Sequence, residues 1–190
     1  MVQQADLQEC PADLMSGLIE TATRDEAAGL ARLDDLLEAY GGDPRLHFLR
    51  GSLLAAAKAY GEAREAMQRA VDIAPGYGVA RFQLGLLELS SGDAAAAMAT
   101  LQPLESLPPD NPLRLFALGL ARLVVDDFVA AIQLLKEGMA RNTEIPAMNR
   151  DMQLIVDEAL AKLSEAGPDA EPVSSAHLLL QQYANRAAKP

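Results

Sequence analysis

The chain has 190 residues, half of them apolar and only 4% aromatic, with one cysteine and a formal net charge of −11. That length is one domain-sized unit able to bury a core without staples, and a single cysteine excludes both an internal disulfide and a zinc framework. The acidic balance repels phosphate backbones and anionic lipid, which argues against nucleic-acid and membrane partners.

A composition rich in Ala and Leu and poor in β-branched runs points to an all-α protein. No stretch approaches the ~20 apolar residues needed to cross a bilayer. Residues 1–10 are polar and read as a frayed end. They lack the basic region and apolar core of a secretory signal, so a cytoplasmic location is the default expectation. Cys10, with nothing nearby to lower its pKa, reads as inert.

Pro11 opens the first helix where its missing N–H costs nothing, and Leu14, Leu18 and Ile19 give that helix an apolar stripe. Asp25 can cap a second helix running to about Ala39, which Gly41-Gly42 ends. Asp43-Pro44 and Asn111-Pro112 each read as an N-cap followed by proline at the first helical position. Asp93 and Asp127 can cap two more helices. These signals predict helices near 44–58, 62–73, 78–91, 94–106, 112–125 and 128–141. A longer helix runs from Met148 to about Leu163, with Met152, Ile155, Ala159 and Leu163 on one face. Residues 167–173 have linker composition. Beyond them, residues 174–187 read as a short helix carrying Leu178, Leu179, Leu180 and Tyr183. So short an amphipathic stretch is not stable alone and must dock on something.

One period organises this order. Gly17, Gly51, Gly85 and Gly119 stand 34 residues apart. If each is position 8 of a 34-residue unit, units begin at Cys10, Pro44, Gly78 and Pro112, with an incomplete fifth at Pro146. Position 20 is then Gly29, Ala63, Ala97 and Ala131; position 24 is Leu33, Met67, Leu101 and Leu135; position 27 is Leu36, Ala70, Leu104 and Gly138. Closely packed helices need small side chains where their ridges cross, and positions 8 and 20 supply them.

Small residues at 8 and 20, a large apolar one at 24 and a proline near 32 resemble the tetratricopeptide repeat, a helix-turn-helix module of this length. The resemblance implies a right-handed superhelix of about four helical hairpins, with a terminal helix whose polar outer face, carrying Arg150 and Gln153, caps the array within residues 1–166. The chain departs from the family at position 4, with Asp13, His47, Arg81 and Leu115 in place of an aromatic, and at position 11, with Glu20, Leu54, Glu88 and Arg122 in place of tyrosine. Ser16 and Arg50 replace the usual leucine at position 7, which makes the first unit the weakest match.

The resemblance also implies that positions 2, 5, 9 and 12 of each first helix line a concave groove. Those positions hold Leu14 and Leu18; Phe48 and Ser52; Val79, Phe82, Leu86 and Leu89; and Leu113, Phe116, Leu120 and Leu123. Three of the four phenylalanines thus recur one period apart. Two readings stand side by side: an apolar groove for a peptide or helix, or side chains belonging to the helix-helix core. The lysines and asparagines with which some family members grip a C-terminal carboxylate are absent from positions 5 and 9. The C-terminal segment, with Leu178, Leu179, Leu180 and Tyr183, is a candidate self-ligand that covers this groove or that of a second molecule. Its plainer alternative is packing on the capping helix.

Nothing in the sequence assembles into catalytic machinery. His47 and His177 are the only histidines, and no metalloprotease helix motif, phosphate-cradling glycine loop or nucleophile elbow occurs. Asp34-Asp35 and Asp126-Asp127 are consecutive residues, whose side chains diverge on a helix. The expectation is a non-enzymatic scaffold or adaptor without cofactor or metal, binding a protein or peptide partner in an apolar groove. The alternatives are a translocator chaperone of the type III secretion kind and a non-catalytic repeat subunit of an enzyme complex. No residue pattern demands an oligomeric state, although exposed end units could pair two molecules.

Overall fold

The computed structural model describes residues 9–165, and every regular element among them is helical. In chain order these are α1 (Ala12–Arg24), α2 (Glu26–Tyr40), α3 (Pro44–Ala56), α4 (Tyr60–Ile73), α5 (Gly78–Ser90), α6 (Ala94–Leu101), a short 3-10 turn (Gln102–Ser106), α7 (Pro112–Val124), α8 (Phe128–Arg141) and α9 (Pro146–Glu165). The proposed linker and C-terminal helix lie outside the described residues.

The caps form where their chemistry predicts. Side-chain oxygens of Asp25, Asp93 and Asp127 accept from the backbone N–H of Ala28, Ala96 and Ala130, at the starts of α2, α6 and α8. Asp43 and Asn111 do the same at α3 and α7, ahead of Pro44 and Pro112. Three expectations shift. Pro11 occupies the cap of α1 rather than its first turn. The helix expected over 94–106 is α only to Leu101, because Pro103 lacks the N–H that an α-turn requires, and the chain tightens into the 3-10 turn. Leu163 is 37% exposed, so it leaves the apolar face of α9 on which Met148, Met152, Ile155, Val156 and Ala159 are buried.

The chain divides into two compact units between Gln83 and Leu84. In the first, α1, α2 and α3 close over Leu18, Leu33, Leu46 and Cys10, with Leu14, Met15, Leu36, Leu37, Tyr40, Leu49 and Leu53 packed around them. Burying each such leucine stabilises by roughly 2 kcal/mol. The α3–α4 hairpin closes at Gly51, where an added Cβ would lie 2.5 Å from Met67 Cγ and 3.0 Å from the Ala63 carbonyl oxygen. Position 8 thus meets positions 20 and 24, as the register requires.

The second unit repeats this contact, with Gly85 against Leu101 and Gly119 against Leu135. Helix α8 packs on both α7 and α9. Asn142 secures the α8–α9 turn: its side-chain amide donates to the Ile145 carbonyl and to Asn149 Oδ1, both at 2.8 Å, while Asn149 returns bonds to the carbonyls of Met139 and Asn142. The polar side of α9 expected from Arg150 and Gln153 is exposed.

Candidate partner-binding face

The twelve residues assigned to the groove do not share one environment. Leu14, Phe48, Ser52, Val79 and Leu113 are half-buried, whereas Leu18, Phe82, Leu86, Leu89, Phe116, Leu120 and Leu123 are buried. This corrects the expectation of an open apolar stripe at those seven positions. For Phe116 the reason is visible. Position 27 of its own unit is Gly138, and the missing side chain leaves a slot that the Phe116 ring fills: a Cβ on Gly138 would lie 2.5 Å from Cε1. The ring is therefore part of the α7–α8 packing. It is not a free contact.

The reachable part centres on Phe48. Its ring meets that of Tyr77 edge-on, with centroids 5.5 Å apart and planes inclined by 65°, an arrangement that aromatic quadrupoles favour. Helix α3 carries Phe48. Tyr77 comes from the loop before α5, held by its own N–H to the Ala74 carbonyl at 2.9 Å and by Arg81, whose Nη2 donates to the Pro75 carbonyl at 2.9 Å. Burial pushes the Tyr77 hydroxyl above its ordinary pKa, and Arg45 opposes that shift. The group stays protonated and able to donate. Position 34 of a repeat is not where the family's groove residues sit, so the sequence register alone passed over Tyr77.

Next to this edge lies an ionic pin built on the buried Asp43 carboxylate. Asp43 Oδ2 accepts from the Cys10 N–H at 2.8 Å and from Arg45 Nη2 at 2.6 Å, and the same Arg45 nitrogen donates to the Cys10 carbonyl at 3.0 Å. Burial alone pushes the Asp43 carboxyl up, but hydrogen bonds from the Arg45 guanidinium and the Cys10 and Arg45 N–H groups, with the Arg45 charge, outweigh it and hold the group below its ordinary value. Burial and the Asp43 charge raise the Cys10 thiol instead, so it is protonated and a poor nucleophile. The pin ties the start of the chain to α3.

His47 is structural as well. Its Nε2 lies 2.9 Å from the Gly41 carbonyl oxygen, which can only accept, so that nitrogen bears the proton and braces the α2–α3 turn. Among the described residues no group of three or more His, Cys, Asp or Glu side chains could hold a metal ion. No helix among them is long and apolar enough to cross a membrane. The candidate self-ligand, Leu178, Leu179, Leu180 and Tyr183, lies outside the described residues.

The sequence profile described as tetratricopeptide repeat matches residues 54–124. The chain is similar to human tetratricopeptide repeat protein 34, at 33% identity over 108 residues, which is 55% of this chain and 19% of that protein. It therefore spans about a fifth of that curated relative's length. A solved structure, MamA from residue 41 to the end, from Desulfovibrio magneticus RS-1, resembles it with a TM-score of 0.55 at 17% identity, covering 80% of this chain and 92% of the other. At that identity the likeness concerns the fold alone. Small residues packing in register at positions 8 and 20, the recurring caps and the matching profile all agree that residues 54–124 of this chain are similar to tetratricopeptide repeats.

Proposed function

We propose that this protein is a non-catalytic interaction scaffold that receives an apolar peptide or helix against the first helices of its hairpins, with the Phe48–Tyr77 edge as the contact centre. The match to tetratricopeptide repeats over residues 54–124 supports a protein-binding role in general. The finer reading is supported by one observation: of the phenylalanines placed in the groove, Phe48 alone keeps part of its surface outside the packing, beside a second ring. Leu14, Ser52 and Val79, assigned to the same groove by the register, are half-buried too. Aromatic anchors of this kind dominate the energetics of many peptide interfaces.

The test is selection of binders from a displayed library of amphipathic helices against the full chain, followed by titration. Phe48→Ser and Tyr77→Ser should each weaken the selected binders by about 10- to 100-fold, since one aromatic contact is worth roughly 1.5–3 kcal/mol. Circular dichroism should stay unchanged. Binders indifferent to both substitutions would refute the assignment.

A further inference from the structure

We infer that the occupant of the Phe48–Tyr77 edge carries a side-chain carboxylate one helical turn from its apolar anchor, and that the Arg45 guanidinium receives it. The inference rests on the reading above and names the chemistry of the partner. Among positions 2, 5, 9 and 12 of the four complete units, Arg45, at position 2 of the second, is the one charged residue. It precedes Phe48 by three residues on α3, so the two share a face and stand about 4.5 Å apart along the axis. Its charge also acts on the Tyr77 hydroxyl. Cation, phenol and ring therefore share one edge, within the first compact unit.

Arg45 is fixed but not enclosed. Its Nε and Nη2 bond the buried Asp43 carboxylate, yet 41% of its side chain is exposed. It already attracts a second carboxylate, since Glu9 Oε2 lies 3.8 Å from Nη2 on a side chain that is 80% exposed. At that separation there is no hydrogen bond, and a contact so open to water is weak. Glu9 is thus an easily displaced stand-in for an acid brought by a partner. The exchange swaps one carboxylate for another, so it selects the partner's register more than it adds affinity. The net charge of −11 does not forbid it. Carboxylates farther than about 8 Å are screened at physiological salt, and α3 from Pro44 to Ala56 carries Arg45 and Arg50 and no carboxylate.

The test displays amphipathic helices whose polar positions are drawn equally from Glu, Gln and Lys, and selects them on the full chain. The winners are titrated as synthetic peptides with amidated C-termini, which leaves side chains as their source of carboxylate. Glu should be enriched three or four residues from the apolar anchor. Exchanging that Glu for Gln in the peptide should weaken binding about 2- to 5-fold. Removing Arg45 would strand the buried Asp43 charge and endanger the fold, so the protein is changed at Glu9 instead. Glu9→Gln should tighten the Glu peptide about twofold and leave the Gln peptide as it was. Glu62→Gln, which removes an exposed carboxylate on α4, should alter neither. Lys or no preference at that spacing, Glu and Gln peptides of equal affinity, no gain from Glu9→Gln, or an equal gain from Glu62→Gln each overturn the inference. Binders that give any of those results but are still lost with Phe48→Ser leave the scaffold reading standing; binders indifferent to Phe48→Ser sink that reading whatever their charge.

Discussion

Asp43 has no exposed side-chain surface, yet its carboxylate stays charged because Arg45 and two backbone N–H groups reach it. Its folded pKa lies below its ordinary 3.8, so the stabilisation is present above that value and is lost as pH falls through the lower folded one. Asp43→Asn keeps a capping oxygen but removes the charge. We expect it to cost about 2 kcal/mol near neutrality, the worth of a charged hydrogen bond, with the gap closing as pH falls below the ordinary 3.8 and through the lower folded value. Urea titrations at neutral and acid pH check this; a gap independent of pH contradicts the pin.

Glycine substitutions separate at the same scale. A Cβ on Gly29 would lie 2.5 Å from the Ala22 Cα, a backbone atom with nowhere to go, whereas one on Gly61 meets nothing within 4 Å. Gly29→Ala should therefore destabilise by about 1–3 kcal/mol and Gly61→Ala stabilise by up to about 1 kcal/mol, read from thermal or urea unfolding. A period not visible in residue type appears in the turns between paired helices. Lys58, Gly92 and Asp126, one repeat apart, all have positive φ, at 64°, 88° and 58°. Only Gly92 takes that conformation freely. Lys58→Gly should raise stability by about 1 kcal/mol by relieving the left-handed strain, and a loss would show that the Lys58 side chain does something the geometry hides.

Among elements, the α7–α8 hairpin illustrates how a contact decides what a helix face is for. Phe116 fills the slot left by Gly138, and truncating so buried a ring should cost about 3–5 kcal/mol. Phe116→Ala is thus expected to lower the unfolding midpoint severely, while Phe48→Ala, on a half-buried ring, costs less and acts mainly on binding. Equal destabilisation by the two would place Phe48 in the core after all. Phe82, also fully buried, falls with Phe116: Phe82→Asp would bury a charge and unfold the chain, so it cannot serve as a clean probe of binding. At the end of the described chain, α9 buries one methionine- and aliphatic-rich face, packs on α8 and leaves Arg150 and Gln153 exposed.

For the whole molecule, a formal net charge of −11 on 190 residues means that folding gathers like charges. Added salt should raise the unfolding temperature as self-repulsion is screened; a flat response up to about 0.5 M would show that the carboxylates are already neutralised in local pairs. The repeat register was legible without coordinates because its signals are local or strictly periodic. A cap needs only an oxygen two or three residues ahead of a free N–H, and a hairpin crossing needs a small residue every 34. Caps at Asp25, Asp43, Asp93, Asn111 and Asp127 and small residues at Gly51, Gly85 and Gly119 therefore fell into place from sequence. Accessibility did not, because it depends on what else arrives at the same face. Gly138 is 22 residues from the Phe116 ring it admits, Tyr77 is 29 from Phe48, and Asp43 is 33 from the Cys10 N–H it holds. The repeat register, the helices and most of their caps belong to the sequence; which apolar side chains are spent on packing and which keep exposed surface was decided only when distant segments met.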